Sequence, residues 1–194
     1  MRIVKRSGAF LASLLFLFAM SFMLLPASAH ADFPERPAGF VVLDGSREMT
    51  GSMYSSWRQV VKWAYHFPYY KIVEDSTVQQ ETAAAFQGKV KEKEEKAVMA
   101  ALAEKCGLDV LVLARIYELD EEYVHSLFAD METFIKVEVR ADLLVYKKDG
   151  DKFLKKKLRE RELCDPGNYE KPEDTVKWEL CKLVNTMEGR PIIN

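Results

Sequence analysis

Cysteine is scarce. The 194-residue chain holds three, Cys106, Cys164 and Cys181, and none lies near the amino terminus. Without a thiol there to acylate, no lipid anchor is expected. Neither a C-x-x-C pair nor a Cys/His cluster occurs, which removes structural zinc and a thioredoxin-like dithiol. Histidine is equally thin: beyond residue 31 only His66 and His125 remain, and neither sits in an H-E-x-x-H or beside a recognisable nucleophile. There is no G-x-S-x-G elbow, no phosphate loop and no dinucleotide fingerprint. The expectation is a chain without catalytic residues, metal or cofactor, and therefore not an enzyme.

Acidic residues are missing from the first 31 positions, and what stands there has an order of its own. Arg2, Lys5 and Arg6 precede a run from Gly8 to Leu25 that is apolar apart from Ser13 and Ser21. Pro26 breaks it, and Ala27-Ser28-Ala29-His30-Ala31 follows with small residues at alternate positions. Basic end, apolar core, breaker and A-x-A site make a secretory signal peptide, cleaved after Ala29 or Ala31. The alternative is an uncleaved inner-membrane tether, since the run is about the 18 residues that spanning requires. Residues 32–194 then form one domain, periplasmic or secreted. That part carries 25 basic against 30 acidic residues, a net charge near −5, which argues against nucleic acid as a partner.

In an oxidising compartment an odd cysteine count allows one internal bridge at most. Cys164–Cys181 is the expected pair, because Cys164 follows a strand and Cys181 lies in a helix that folds back on it. Closing that loop stabilises by roughly 3 kcal/mol in the chain-entropy model. The alternative, reduced buried thiols, stays open.

Apolar runs and periodicity place the elements. Residues 39–44 (GFVVLD) read as a buried strand ended by Asp44-Gly45. A helix follows over about 51–65, with Met53, Trp57, Val60, Val61 and Ala64 on one face. Phe67-Pro68 stops it, and residues 69–75 form a second strand. Residues 76–106 are helix-forming, with Gly88 dividing them and Gly107 closing the second part. Residues 108–116 (LDVLVLARI) have the continuous apolarity of a strand buried on both faces. An acidic connection, 118–130, leads to the longest alternation, Ile135, Val137, Val139, Ala141, Leu143 and Val145, with Lys136, Glu138, Arg140 and Asp142 between them.

Asp149-Gly150 reads as a two-residue hairpin loop. That register sets Leu154 opposite Val145, Leu158 opposite Ala141, Asp142 opposite Lys157 and Glu138 opposite Arg161, with Arg140 against Arg159 as the one poor pair. Pro172-Glu173-Asp174 opens a last helix that Gly189 ends. The fold class is α/β (α+β): elements in the order β-α-β-α-β-β-β-α, with helices packed on one mixed sheet of about five strands.

Three segments bear on binding. The acidic stretch Glu118–His125, followed by Asp130 and Glu132, is dense in oxygen ligands, but its spacing is not that of an EF-hand, and a solvated connection is the simpler reading. The aromatic run 63–70 offers Tyr65, Tyr69 and Tyr70 as interface candidates, while Trp63 and Phe67 are expected to pack against the sheet. The basic strand 152–161 is read as an edge protected by its lysines rather than as a site for anionic glycan or lipid.

Three stretches carry a likeness to known proteins: FVVLD, the helix end Cys106-Gly107-Leu108-Asp109 running into VLVLARI, and the hairpin VRADLLVYKKDGDKFL. Over about residues 38–188 the chain resembles the periplasmic α/β domains of the TolB amino-terminal, CsgG and LpoB type. The resemblance implies that fold and an envelope setting, with no catalytic residue to transfer. CsgG and LpoB are lipoproteins, and this chain departs from them in lacking the lipobox cysteine. The expected function is a protein–protein interaction module acting on an unidentified envelope protein. The alternative is a glycan or small-ligand binder, or an enzyme, whose cleft would gather Tyr65, Tyr69, Tyr70, Glu121 and His125.

Overall fold

A computed structural model describes residues 35–46, 49–66, 69–74, 76–88, 90–125 and 133–191. The signal-peptide segment with Ala29 and Ala31, and Phe67, Asp130 and Glu132, lie outside the described residues. Five strands form one sheet in the order β2-β1-β3-β4-β5. They are β1 (Arg36–Asp44), β2 (Tyr70–Val73), β3 (Val110–His125), β4 (Thr133–Lys147) and β5 (Lys152–Cys164). β1 runs parallel to β2 and β3, and β3, β4 and β5 are antiparallel neighbours. The four helices are α1 (Gly51–Ala64), α2 (Ser76–Phe86), α3 (Glu92–Lys105) and α4 (Pro172–Met187). The expected α/β class and element order are therefore those of the protein, with 76–106 split into two helices around Gly88.

Two apolar layers sandwich the sheet. On one face α1 and α4 bury Trp57, Val61, Val176, Leu180 and Val184 against Phe40, Val42, Val110, Val112, Val139 and Leu143. On the other, α2 and α3 bury Val78, Phe86, Met99 and Leu102 against Val41, Leu111, Leu113 and Leu144. The inner halves of β3 and β4 are thus covered on both sides, which is why their sequences are apolar at consecutive positions. Gly39 lets β1 pass close to the other layer: a Cβ there would lie 2.8 Å from Leu108 Cδ1. Gly107, at φ 64°, turns α3 into β3. Its amide donates to Glu104 O (3.1 Å) and that of Leu108 to Ala103 O (2.7 Å), the Schellman pair that satisfies the last carbonyls.

The β4–β5 register is the one the charge pattern predicts, with Leu154 against Val145, Leu158 against Ala141, Asp142 against Lys157 and Arg140 against Arg159. The left-handed backbone falls at Gly150 (φ 76°) and Asp151 (φ 47°) rather than at Asp149. The acidic segment is a correction. From Glu118 to His125 the chain is strand, paired with β4 out to Thr133, and not a connection. A bulge between Ile116 and Glu118 shifts the alternation by one residue. Leu119 therefore returns to the α1/α4 face, while Glu118, Asp120 and Glu122 line the other face opposite Arg140, Glu138 and Lys136.

Candidate functional site: a groove between two helices

α1 begins at Thr50, whose Oγ1 accepts from Met53 N (3.3 Å) and caps the first turn. Its inner stripe, Trp57, Val61 and Ala64, is buried. That leaves Ser56, Gln59 and Trp63 on the outer side, with Val60, half-buried against the core, completing the i, i+3, i+4, i+7 spacing. α4 starts at Pro172 with Glu173 and Asp174 in its first turn, where acids oppose the helix dipole favourably. Its inner stripe is Val176, Leu180, Leu183, Val184 and Met187. Asp174, Lys177, Trp178 and Cys181 face outward.

Two long-range hydrogen bonds fasten the helices to each other. Trp57 Nε1 donates to Glu173 O (3.0 Å) at the start of α4. Past its end, Arg190 Nη2 donates to Ala64 O (3.0 Å). Between these ties the outer stripes flank a groove with two adjoining hollows of about 360 and 560 Å³. Val60, Lys177 and Cys181 are common to both; Ser56, Gln59 and Trp63 complete one, and Glu170, Asp174 and Trp178 the other.

Trp63 is 62% exposed and Trp178 40% exposed. An exposed indole forgoes the burial that most aromatic rings gain, and two of them line this groove. Lys182 Nζ lies 5.2 Å from the Trp178 ring centroid and 2.7 Å from Glu179 Oε1, so the ring is braced from one side. Burial pushes the Glu179 carboxyl up, but Lys182 and Lys156 outweigh it and hold the group below its ordinary value. The groove's own charges behave otherwise: Lys177, Glu170 and Asp174 have no ion-pair partner among the described residues. The surface is apolar, framed by indoles and edged by unpaired charge, a composition suited to docking a protein.

The aromatic candidates part company. Tyr65 belongs to the core, 1% exposed, with its ring edge-on to Tyr70 at 5.1 Å, so it cannot serve as an interface residue. Its burial, reinforced by Glu188, raises the hydroxyl's pKa. Tyr70 is half-buried on β2, and Tyr69 is exposed. Trp63, expected to pack on the sheet, faces outward instead, because the inner stripe of α1 passes one residue to its side at Ala64.

No cleft gathers the five residues of the ligand-binding alternative. Tyr70 pairs with Arg36, two residues before Ala38 meets Val110, whereas Glu121 lies eleven residues farther along β3. At about 3.3 Å per residue the two ends stand on the order of 40 Å apart along the sheet. Glu121 accepts from Tyr169 Oη (2.8 Å), and His125 Nδ1 meets Thr133 Oγ1 (3.2 Å). The Tyr169 hydroxyl is pushed up to about 12, chiefly by its bond to Glu121.

The basic strand, β5, is a sheet edge as expected, and its lysines are paired within the chain. Lys155 reaches Glu95 (2.6 Å) and Asp142 (3.4 Å), Lys156 reaches Glu179 (3.2 Å) and Lys157 reaches Glu92 (2.7 Å). These lysines fasten α3 and α4 to the sheet edge, and they are not a bare anion site. Cys164 and Cys181 are thiols in the structure. Cys164 Sγ lies 4.0 Å from Glu162 Oε2, and Cys181 Sγ receives Asn185 Nδ2 at 3.5 Å. Among the described residues no helix is long and apolar enough to cross a membrane, and no group of three or more His, Cys, Asp or Glu is arranged to hold a metal ion.

Val60, Lys177 and Trp178 had no place among the sequence-based candidates. The one available signal was position: Trp178 falls between Val176 and Leu180 in order but a third of a turn or more from each around the helix.

No protein-family model matches the sequence, and no curated protein matches it. Among solved structures the chain is similar to the lipoprotein GNA1162 from Neisseria meningitidis, at 16% identity and a TM-score of 0.38, covering 79% of this chain and 98% of that one. It is also similar to the hypothetical protein CT253 from Chlamydia trachomatis, at 11% identity and a TM-score of 0.40, covering 80% and 96%. A PelC dodecamer from Paraburkholderia phytofirmans follows at 8% identity and a TM-score of 0.33, covering 79% and 85%. At these scores the likenesses carry neither a family nor a function to this chain.

Proposed function

We propose that this chain is an exported, non-enzymatic interaction module of the cell envelope, and that it docks a protein partner through the groove between α1 and α4. The signal-peptide pattern ahead of residue 32 supports export, to the periplasm if the leader is cut and to an inner-membrane tether if it is kept. The resemblance to TolB-, CsgG- and LpoB-type domains agrees with that setting. The observation that carries the docking reading is the pair of exposed indoles, Trp63 and Trp178, facing one groove on two helices fastened at both ends. Rigid aromatic anchors of this kind supply most of the binding energy at protein interfaces.

The test is site-specific photocrosslinking in the native envelope. A photoreactive residue at Gln59, on the groove, is expected to give a discrete protein adduct that Trp178→Ala abolishes. The same residue at Lys71, on β2, is expected to give none. Equal crosslinking from both positions, or none from Gln59, overturns the reading.

A further inference from the structure

The groove carries both halves of a self-complementary contact. It presents knobs, the two indoles, beside hollows of about 360 and 560 Å³. It also presents both signs of charge, Lys177 against Glu170 and Asp174, none of them in an ion pair among the described residues. Elsewhere many basic side chains of the fold are matched within the chain, among them Lys147 with Glu188, Lys155 with Glu95 and Lys156 with Glu179. A two-fold axis beside such a surface makes every contact twice, residue i of one protomer on j of the other and j on i. The indole of one protomer would enter the hollow of the other, and Lys177 would meet Asp174 and Glu170 across the axis.

We infer that the occupant of the α1/α4 groove is a second copy of this chain, joined as an isologous dimer. This rests on the docking reading above and names its partner. With burial of about 150–250 Å² for a whole aromatic side chain, the exposed parts of Trp63 and Trp178 supply about a fifth to a third of the roughly 800 Å² that each partner contributes to a stable interface. Gln59, exposed beside the groove, and the half-buried Val60, Lys177 and Cys181 add to it. In a symmetric contact each substitution acts twice, so the loss of one indole weakens the dimer disproportionately.

Sedimentation of the purified chain across about 1–100 μM tests this. A concentration-dependent dimer is expected, weakened at least about 100-fold by Trp178→Ala or Trp63→Ala, with thermal unfolding at the lowest concentration unchanged. Lys177→Asp is expected to break the dimer, and adding Asp174→Lys to restore it, because both protomers then carry the reversed pair. A chain that stays monomeric throughout, or a dimer indifferent to all four substitutions, overturns the inference. A monomer whose Gln59 still crosslinks a different protein overturns the dimer and leaves the docking reading standing. A monomer without any such crosslink removes both.

Discussion

At the residue scale the largest electrostatic investment lies beneath α3. Glu95 and Asp142 are both buried. Arg115 (3.3 Å) and Lys155 (2.6 Å) serve Glu95, while Arg159 (2.7 Å), Lys155 (3.4 Å) and the Tyr117 hydroxyl (3.2 Å) serve Asp142. Burial pushes the Asp142 carboxyl up, but the Arg159 hydrogen bond, the Lys155 and Arg159 charges and the Tyr117 hydroxyl outweigh it, so its pKa lies below the ordinary value. A depressed carboxylate contributes stability above its unfolded value, near 3.9, and that contribution fades as pH falls through the lower folded value. Asp142→Asn is therefore expected to lower stability at pH 7 by about 1–3 kcal/mol. The gap between variant and parent should narrow at pH 3, which thermal unfolding at the two pH values measures. Sequence reasoning paired Asp142 with Lys157 by register, and that pairing is correct. It missed Glu95, because a helix acid reaching a strand base sixty residues away leaves no trace in local periodicity.

At the scale of elements, legibility follows how much of each strand or helix is set locally. β1, α1, β2, α3 and α4 were readable because their apolar spacing and their terminators, Asp44-Gly45, Gly107, Pro172 and Gly189, act within a few residues. The β4–β5 hairpin was readable down to its register because alternation and opposite charges agree. β3 was readable only to Ile116. Beyond it the bulge at Tyr117 breaks the period of two, and the acids that follow mimic a loop although their backbone pairs with β4. The outward face of α1 misled in a similar way: Trp63 was assigned to the core on its chemistry, while the packing angle of the helix directs it to solvent. Local control gives its own prediction. Gly107→Ala forces a side chain into left-handed backbone at φ 64°, which should cost about 1–2 kcal/mol and lower the unfolding midpoint by about 2–8 °C in calorimetry.

At the scale of the whole molecule, helices cover the inner part of the sheet on both faces, and the large apolar side chains left exposed among the described residues are Trp63, Tyr69, Tyr117, Tyr123, Leu163 and Trp178. Two helix-covered layers account for most of the aromatic and aliphatic residues along the sheet. On the outer side of the α1/α4 layer, Trp63 and Trp178 face a common groove and remain open. The chain's third tryptophan, Trp57, is fully buried six residues before Trp63 and provides an internal standard. Hydroxyl-radical footprinting therefore tests the docking claim most directly. Modification of the three indoles would be compared between the purified chain at high dilution and the same chain in its native envelope. Trp63 and Trp178 should react strongly when dilute and be protected several-fold in the envelope, while Trp57 stays protected in both. Equal reactivity of Trp63 and Trp178 in the two settings would contradict the account.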